Sequence, residues 1–417
     1  MSFSEWREVE LEEVIELVID YRGKTPKKLG GDWSQVGYRA LSAKNIKTGR
    51  IVQEDAIRYL DSNLYTKWMK EEVNRGDILM TSEAPFGELL YWDSDEKIVL
   101  SQRLFCLRTN KKVDSKYLYY YMTTNRFQKE LDARATGTTV RGLRQPQLLK
   151  CKIEYPPIKD QEAIANILSS MDEKIRVNNQ INKTLENMAQ AIFKQWFVDF
   201  EFPNEDGEPY KSSGGEMVES ELGMIPKGWE VKDLGEIIDI HDSKRIPLSK
   251  NEREKREKIY PYYGAASLMD YVDEYIFDGI YVLLGEDGTV VNEDGSPVLQ
   301  YVWGKFWVNN HAHVLSGKKG VSINYLYILL SNLNVSGAIT GAVQLKINQK
   351  NLKELKIIMP NDMKIVSQFS EIVDKSFEKT RVKSDENKCL VLLRDSLLPK
   401  LMSGEIRVPL DEEGDAS

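Results

Sequence analysis

The chain repeats itself. "EKIRV" at 173–177 returns as "EKTRV" at 378–382, and the text around the match returns with it. Thr136-Gly137 recurs 204 positions on as Thr340-Gly341, followed in the same register by Gln145/Gln349, Leu148/Leu352, Lys152-Ile153/Lys356-Ile357 and Pro156/Pro360. One residue later in offset, Ile167, Glu173, Lys174, Arg176 and Leu185 meet Ile372, Glu378, Lys379, Arg381 and Leu390. The starts agree as well, "WREVELEEVI" (6–15) lying over "WEVKDLGEII" (229–238). A period near 200 residues is too long for a solenoid unit and suits a domain plus a connector. A tandem duplication therefore constrains the fold before any single motif does.

Each copy opens β-rich and closes helical. Alternating apolar runs such as "KIVLSQRLFCLRTN" and "YIFDGIYVLLGEDGTVV" read as strands between turn residues, and Pro156 and Pro360 end each β-rich stretch. The segment after Pro156 holds no Gly or Pro from Lys159 to Phe197 and carries Ile164, Leu168, Met171, Ile175, Ile181, Leu185, Met188, Ile192 and Trp196 at three- and four-residue steps. That predicts one long amphipathic helix, about 60 Å for about 40 residues. Asn178, Asn179 and Asn182 interrupt the stripe and are expected in a partly solvated middle, since burying three together is costly. A second such stretch, 361–398, carries Ile365, Phe369, Ile372, Val373, Phe377, Leu390, Leu393 and Leu397. The expected fold class is α+β: two similar β-rich domains separated by two long antiparallel helices, coiled-coil-like, with pseudo-two-fold symmetry. The expected divisions are a first domain at 1–156, a central helix at 157–200, a Gly/Pro/Ser/Glu-rich linker at 201–226, a second domain at 227–360, a C-terminal helix at 361–403 and an acidic tail at 404–417.

Composition narrows the class. Three dispersed cysteines, Cys106, Cys151 and Cys389, fit reduced cytosol better than a disulfide framework. No apolar run is long enough to cross a bilayer, and the N-terminus lacks an export pattern, so a cytoplasmic chain without membrane contact is expected. A net charge of −8 argues mildly against a nucleic-acid binder, although phosphate contact needs only one basic face. Two similar domains on a rigid spacer suit a ligand with two separated sub-sites, of which duplex DNA is the common example.

The sequence resembles the specificity subunit of type I restriction–modification enzymes, through "IPKGWEVKDLGEII", "YYGAASLMDYVDEYIFDG", "VNNHAHVL", "TGTTVRGLRQPQLLKCKIEYPPIKDQEAIANIL" and the long "IRVNNQINKTLENMAQAIFKQWF" helix. The resemblance implies that each β-rich domain is a target recognition domain reading one half of a bipartite, interrupted double-stranded DNA site. It further implies that the helices set the gap and dock two modification (methyltransferase) subunits, which use S-adenosylmethionine, and that restriction (motor-nuclease) subunits add ATP- and Mg-dependent translocation. The chain itself would hold no cofactor, metal or catalytic centre. In keeping with this, no P-loop, Gly-rich dinucleotide fingerprint or Asn-Pro-Pro-aromatic run is present.

Candidate DNA contacts follow from residue type and loop context. In the first half they are Arg22, Lys24, Lys27 and Lys28 of "YRGKTPKK", Arg39, Lys44 and Asn45 of "YRALSAKNIKTGR", and Thr138, Thr139, Arg141 and Arg144 of "TGTTVRGLRQ". In the second half they are Lys244, Arg245, Tyr263, Asn310, His311, Gln344 and Lys346. Each could equally be an ordinary solvated side chain. His311 and His313 at i, i+2 could ligate zinc, but a base or phosphate contact by Asn310 or His311, or a hydrogen-bonded structural role for one histidine, is favoured. "VWGKFW" is expected in the core. Two rival readings stand beside the DNA reader: a two-headed protein-binding scaffold, and a carboxylate/metal-dependent nuclease built on "DEK" (95–97) or "GEDG" (285–288).

Overall fold

The computed structural model describes residues 6–137, 140–341 and 344–409. The chain divides into two compact units. The first runs to Arg176 and resumes at Asn387; the second is Val177–Glu386.

In the first unit, Arg7–Glu10 pairs antiparallel with Lys152–Tyr155, joining the two ends of the β-rich stretch. A four-stranded antiparallel sheet follows in the order Ile15–Asp20, Leu104–Thr109, Ile78–Ser82, Phe86–Tyr91. Ile78–Ser82 lies centrally and is buried along its whole length, which its unbroken run of apolar and small residues allows. A three-stranded sheet orders Arg58–Leu60, Tyr38–Leu41 and Val99–Leu100, the last two being parallel. Asp114 caps the helix Ser115–Thr123 by accepting the Tyr117 N–H at 2.8 Å.

The second unit repeats this plan. Trp229–Asp233 pairs with Lys356–Pro360, and one sheet begins with Ile238–Ile240, Ala312–Gly317, Phe277–Gly285 and Leu299–Val308 in the same order. Tyr260–Tyr263 and Leu268–Val272 extend that sheet, Tyr260–Tyr263 running parallel to Leu299–Val308 just as Tyr38–Leu41 runs parallel to Val99–Leu100. Ser322 caps the helix Ile323–Ser331. The duplication read from sequence is therefore a duplication of topology, and the chain is α+β with two repeated domains. Val302, Phe306 and Trp307 of "VWGKFW" are buried, as expected, whereas Trp303 is only half-buried.

Two long helices, Ile158–Phe193 and Lys364–Met402, contribute to both units. The first ends in a π-helical turn, Lys194–Val198. Within the first unit, Ile164, Ala165 and Leu168 share a core with Leu401 and Met402, and Arg394 Nη1 meets Asp172 Oδ1 at 2.6 Å. Within the second, Asn178 Nδ2 donates to Glu386 Oε2 at 2.9 Å and Asn182 Nδ2 to Ser384 Oγ at 3.1 Å. The expected partly solvated middle holds for Asn179, which is exposed, and in part for Asn182, which is half-buried, whereas Asn178 is buried against the second long helix. The Nδ2 groups of Asn178 and Asn182 each donate across the helix pair, which offsets part of the desolvation that weighed against burial. Met188, Ile372 and Leu393 of the expected apolar stripes are exposed.

The segment 201–226, expected as a linker, is ordered structure. Met217–Ser220 and Gly223–Pro226 form a hairpin, and Phe202 stacks between Tyr210 and Trp229 with ring centroids 4.6 and 5.1 Å away. Two aromatic residues in this polar stretch, Phe202 and Tyr210, together with Phe200 just before it, bury enough apolar surface to dock it on the second core. Among the described residues, no helix is long and apolar enough to cross a membrane.

Candidate nucleic-acid interface

The ends of the central strands in each unit carry one hydrogen-bonded frame. In the first unit Ser82 N–H donates to the Arg103 carbonyl (2.8 Å), and Leu143 N–H donates to the Ser82 carbonyl (3.0 Å). In the second, Glu286 N–H donates to the His311 carbonyl (2.8 Å), and Ile347 N–H donates to the Glu286 carbonyl (2.9 Å). Bridges of Glu83 with Gly142 and of Thr136 with Gly142 are matched by Asp287 with Lys346 and the Thr340/Lys346 pair. The frame thus equates Ser82, Glu83, Arg103, Phe105 and Leu143 with Glu286, Asp287, His311, His313 and Ile347.

A hairpin closes the frame in both copies. Gly137 and Gly341 turn it with φ of +101° and +89°, and a Cβ at either would lie 2.2 Å from a carbonyl oxygen, of Val140 or Gln344. Only glycine fits both demands, which accounts for the Thr-Gly pair repeated in sequence.

In the first unit the frame lines a cleft of about 580 Å³ that includes Arg22, Glu83, Gln102, Arg103 and Arg144. A second hollow of about 310 Å³ shares Gln102 and Arg103 and adds Lys44 and Arg58. Arg22 is a strut there rather than a free cation. Its Nε and Nη2 bind Asp20 (2.8 and 2.6 Å), its Nη1 donates to the Leu143 carbonyl (3.2 Å), and its guanidinium lies 4.1 Å from the Phe105 ring centre.

The second unit replaces this aromatic support with buried polar groups. Phe105 gives way to His313, whose Nδ1 faces Asp242 Oδ2 at 2.6 Å and whose Nε2 faces the Ile347 carbonyl at 2.8 Å. Asp242 also accepts the Val314 N–H (3.0 Å) and the Gln349 side chain (2.7 Å). Arg245 ties Glu286 (2.8 Å) to the Ala312 carbonyl (2.6 Å). Burial would raise the Asp242 carboxyl, but His313, the Val314 N–H and Arg245 together hold it below the usual carboxylate range. Glu286 is likewise held low against burial by Arg245, His313 and Lys346. Asp242, Glu286 and His313 bring metal-ligand atoms within 4.8 Å of one another, yet Arg245 and Lys346 already neutralise the carboxylates. The donor set is spent on holding the frame.

The sequence-chosen residues separate into three groups. Lys27, Lys44, Arg144, Lys244, Asn310 and Gln344 are exposed and carry no side-chain ion pair among the described residues. Lys24, Lys28, Arg39, Arg141, His311 and Lys346 are engaged: Lys24 Nζ donates to the Trp68 carbonyl (2.6 Å) and lies over Tyr21, Lys28 to the Gly23 carbonyl (2.7 Å), Arg39 to Glu96, Arg141 to Asp132, His311 to Asp287 and Lys346 to Glu286. Burial lowers the Lys24 pKa, which fits a packed rather than a phosphate-seeking ammonium.

The others are structural or lie elsewhere. Arg22 and Arg245 brace the frame. Asn45, expected at the DNA surface, is fully buried; its amide donates to the Val52 and Gln53 carbonyls and accepts from Ser42, completing a capping box. That saturation removes it from the interface. Tyr263 is half-buried against Phe306, and Thr138 and Thr139 lie outside the described residues. Sequence reasoning missed Arg103, which lines both hollows; laying "LSQRLFC" over "VNNHAHV" would have aligned it with His311. His313 takes the structural role foreseen for one histidine.

Comparison with known proteins agrees over both copies. The family described as type I restriction modification DNA specificity domain matches residues 3–187 and 226–388. The type I restriction enzyme MjaIX specificity subunit of Methanocaldococcus jannaschii is 27% identical over 378 residues, covering 86% of this chain and 82% of that protein. The HindI specificity subunit of Haemophilus influenzae is 24% identical over 417 residues, covering 81% and 88%. Among solved structures, the type I restriction–modification system S subunit from M. genitalium shares the fold, with a TM-score of 0.61 at 18% identity over 96% of this chain and 97% of that one.

Proposed function

The chain belongs to the type I restriction–modification DNA specificity family, and from that premise we propose that its two units read the two halves of a bipartite, interrupted double-stranded DNA site. Specificity subunits of type I systems are non-catalytic DNA-recognition components. The observation that carries the bipartite reading is the frame built twice with different side chains: Arg103 and Glu83 in one copy, His311 and Asp287 in the other. One backbone bearing two chemistries suits two sub-sites of different sequence.

The long helices, coiled-coil-like in their pairing, set the gap and dock two modification subunits, and restriction subunits join that assembly. S-adenosylmethionine, ATP and Mg belong to those partners. Apolar and polar side chains shared between the two helices inside each unit support the pairing.

Methylome mapping of a host expressing this chain with its modification subunit tests the reading. A two-part motif with a fixed gap is expected; an uninterrupted motif overturns it. Adding or deleting seven residues in both long helices should change the gap and leave the half-sites alone.

A further inference from the structure

Arg103 and His311 occupy the same place in the two frames, each presenting a carbonyl to the neighbouring strand and a side chain to the surface. Their side chains are exposed to the same degree, 49% and 47%. Each is held by a carboxylate from the equivalent partner position: Arg103 Nε lies 2.8 Å from Glu83 Oε1, and His311 Nδ1 lies 2.6 Å from Asp287 Oδ1. An ion pair is a poor stabiliser at such exposure. It is, however, an effective way to orient a planar group.

What remains unengaged differs. Both Nη groups of Arg103 lack a partner among the described residues, leaving two parallel donors. His311 keeps one ring nitrogen, Nε2. Two donors on a guanidinium match the O6 and N7 acceptors of guanine, whereas a single ring nitrogen makes one hydrogen bond. Backbone strain points the same way in the first unit, where Arg103 adopts φ +66°, a region that non-glycine residues enter rarely and often at functional positions.

Resting on the DNA-reading function above, we propose that Arg103 and His311 are the paired base-reading residues of this chain: Arg103, oriented by Glu83, reads a guanine edge in one half-site, and His311, oriented by Asp287, reads one base edge in the other. The carboxylates are positioning residues. The shared frame fixes where a base is read, and the side chain mounted on it fixes which base.

The test is methylome mapping of the assembled methyltransferase carrying Arg103→Ala, Arg103→Lys or His311→Ala. Arg103→Ala should lower discrimination about tenfold or more at one guanine position of one half-site, within the range for a lost bidentate contact. Arg103→Lys should relax the same position, because an ammonium keeps the charge and loses the fork. His311→Ala should relax one position of the opposite half-site, by a smaller factor. An unchanged motif, a change in both half-sites from one substitution, or rescue by Arg103→Lys of a sequence-independent weakening would each overturn the proposal. If Arg103→Ala does not assemble, the Lys variant carries the test with the same readout. A wild-type methylome lacking a bipartite motif would sink the function itself; a bipartite wild-type motif unmoved by all three variants would sink only this assignment.

Discussion

The two units build one frame from different materials. In the first, the floor is Phe105, with Arg22 laid across its ring and tied to a partly exposed Asp20. In the second, the same floor position is His313, sealed among Asp242, the Ile347 carbonyl and the Arg245–Glu286 pair. The aromatic floor is stabilised by apolar burial and a cation–π contact, and tolerates the loss of a member. The polar floor is interdependent, because each buried group satisfies another and removing one strands the rest. A duplicated backbone can thus keep its geometry while its tolerance of substitution diverges between copies.

The largest predicted effect breaks the polar floor. Asp242→Ala removes the partner of His313 Nδ1 and leaves Arg245 with Glu286 alone, and should destabilise the second unit by about 3–5 kcal/mol, the range for a broken buried pair. Asp20→Ala, at the equivalent but more exposed place, should cost about 1 kcal/mol. Peptide-resolved hydrogen exchange on the full chain would assign each loss to its unit, and equal costs would erase the distinction. Acid should discriminate in the same direction. The Asp242 carboxyl is held low in the folded chain, so its contribution is full above the unfolded value of about 3.9 and is lost as pH falls through the folded value. Below about pH 4 the second unit should therefore lose protection, and the Asp242→Ala variant should show less of that acid dependence.

The shared part of the comparison was legible in sequence, and the divergent part was not. Thr136-Gly137 and Thr340-Gly341, the paired prolines and the twin helical stripes announced a repeated plan, because each reports a backbone demand local to a few residues. Partners distant along the chain carry no such mark. The Arg22–Asp20 pair spans two residues and was open to inspection, but Arg39 with Glu96 and His313 with Asp242 require the fold. Asn45 looked like a loop amide free to read bases, and only the capping box shows its amide consumed. The segment 201–226 was misjudged on its acidic, glycine-rich composition; its aromatic residues held the better signal.

A middle-sized effect tests whether the hairpins remain equivalent. Gly137→Ala and Gly341→Ala each force a Cβ into a left-handed turn 2.2 Å from a carbonyl. Each should cost about 1–2 kcal/mol or slightly more. Near-equal losses of exchange protection at the Leu143 and Ile347 amides are expected. A marked inequality would show that the two loops have diverged in strain as well as in side chains.

The smallest effect concerns phosphate contact, where the units should differ again. The first presents Lys44 and Arg144 without an ion pair among the described residues, whereas in the second Lys244 is exposed but Lys346 is tied to Glu286 at 3.2 Å. Each cation that neutralises a phosphate contributes about 0.9 to the slope of log affinity against log salt. Removing Lys44 and Arg144 together should flatten that slope by about 1.8, by the same amount on every sequence; removing Lys244 and Lys346 should flatten it by about half as much. Lys24→Ala should leave the slope untouched, because the Trp68 carbonyl and the Tyr21 ring already hold its ammonium. A salt titration of duplex binding reads all three. A flattened slope from Lys24→Ala would mean that this lysine abandons its carbonyl for a phosphate, and that the internal contacts of the free chain do not predict which cations reach DNA.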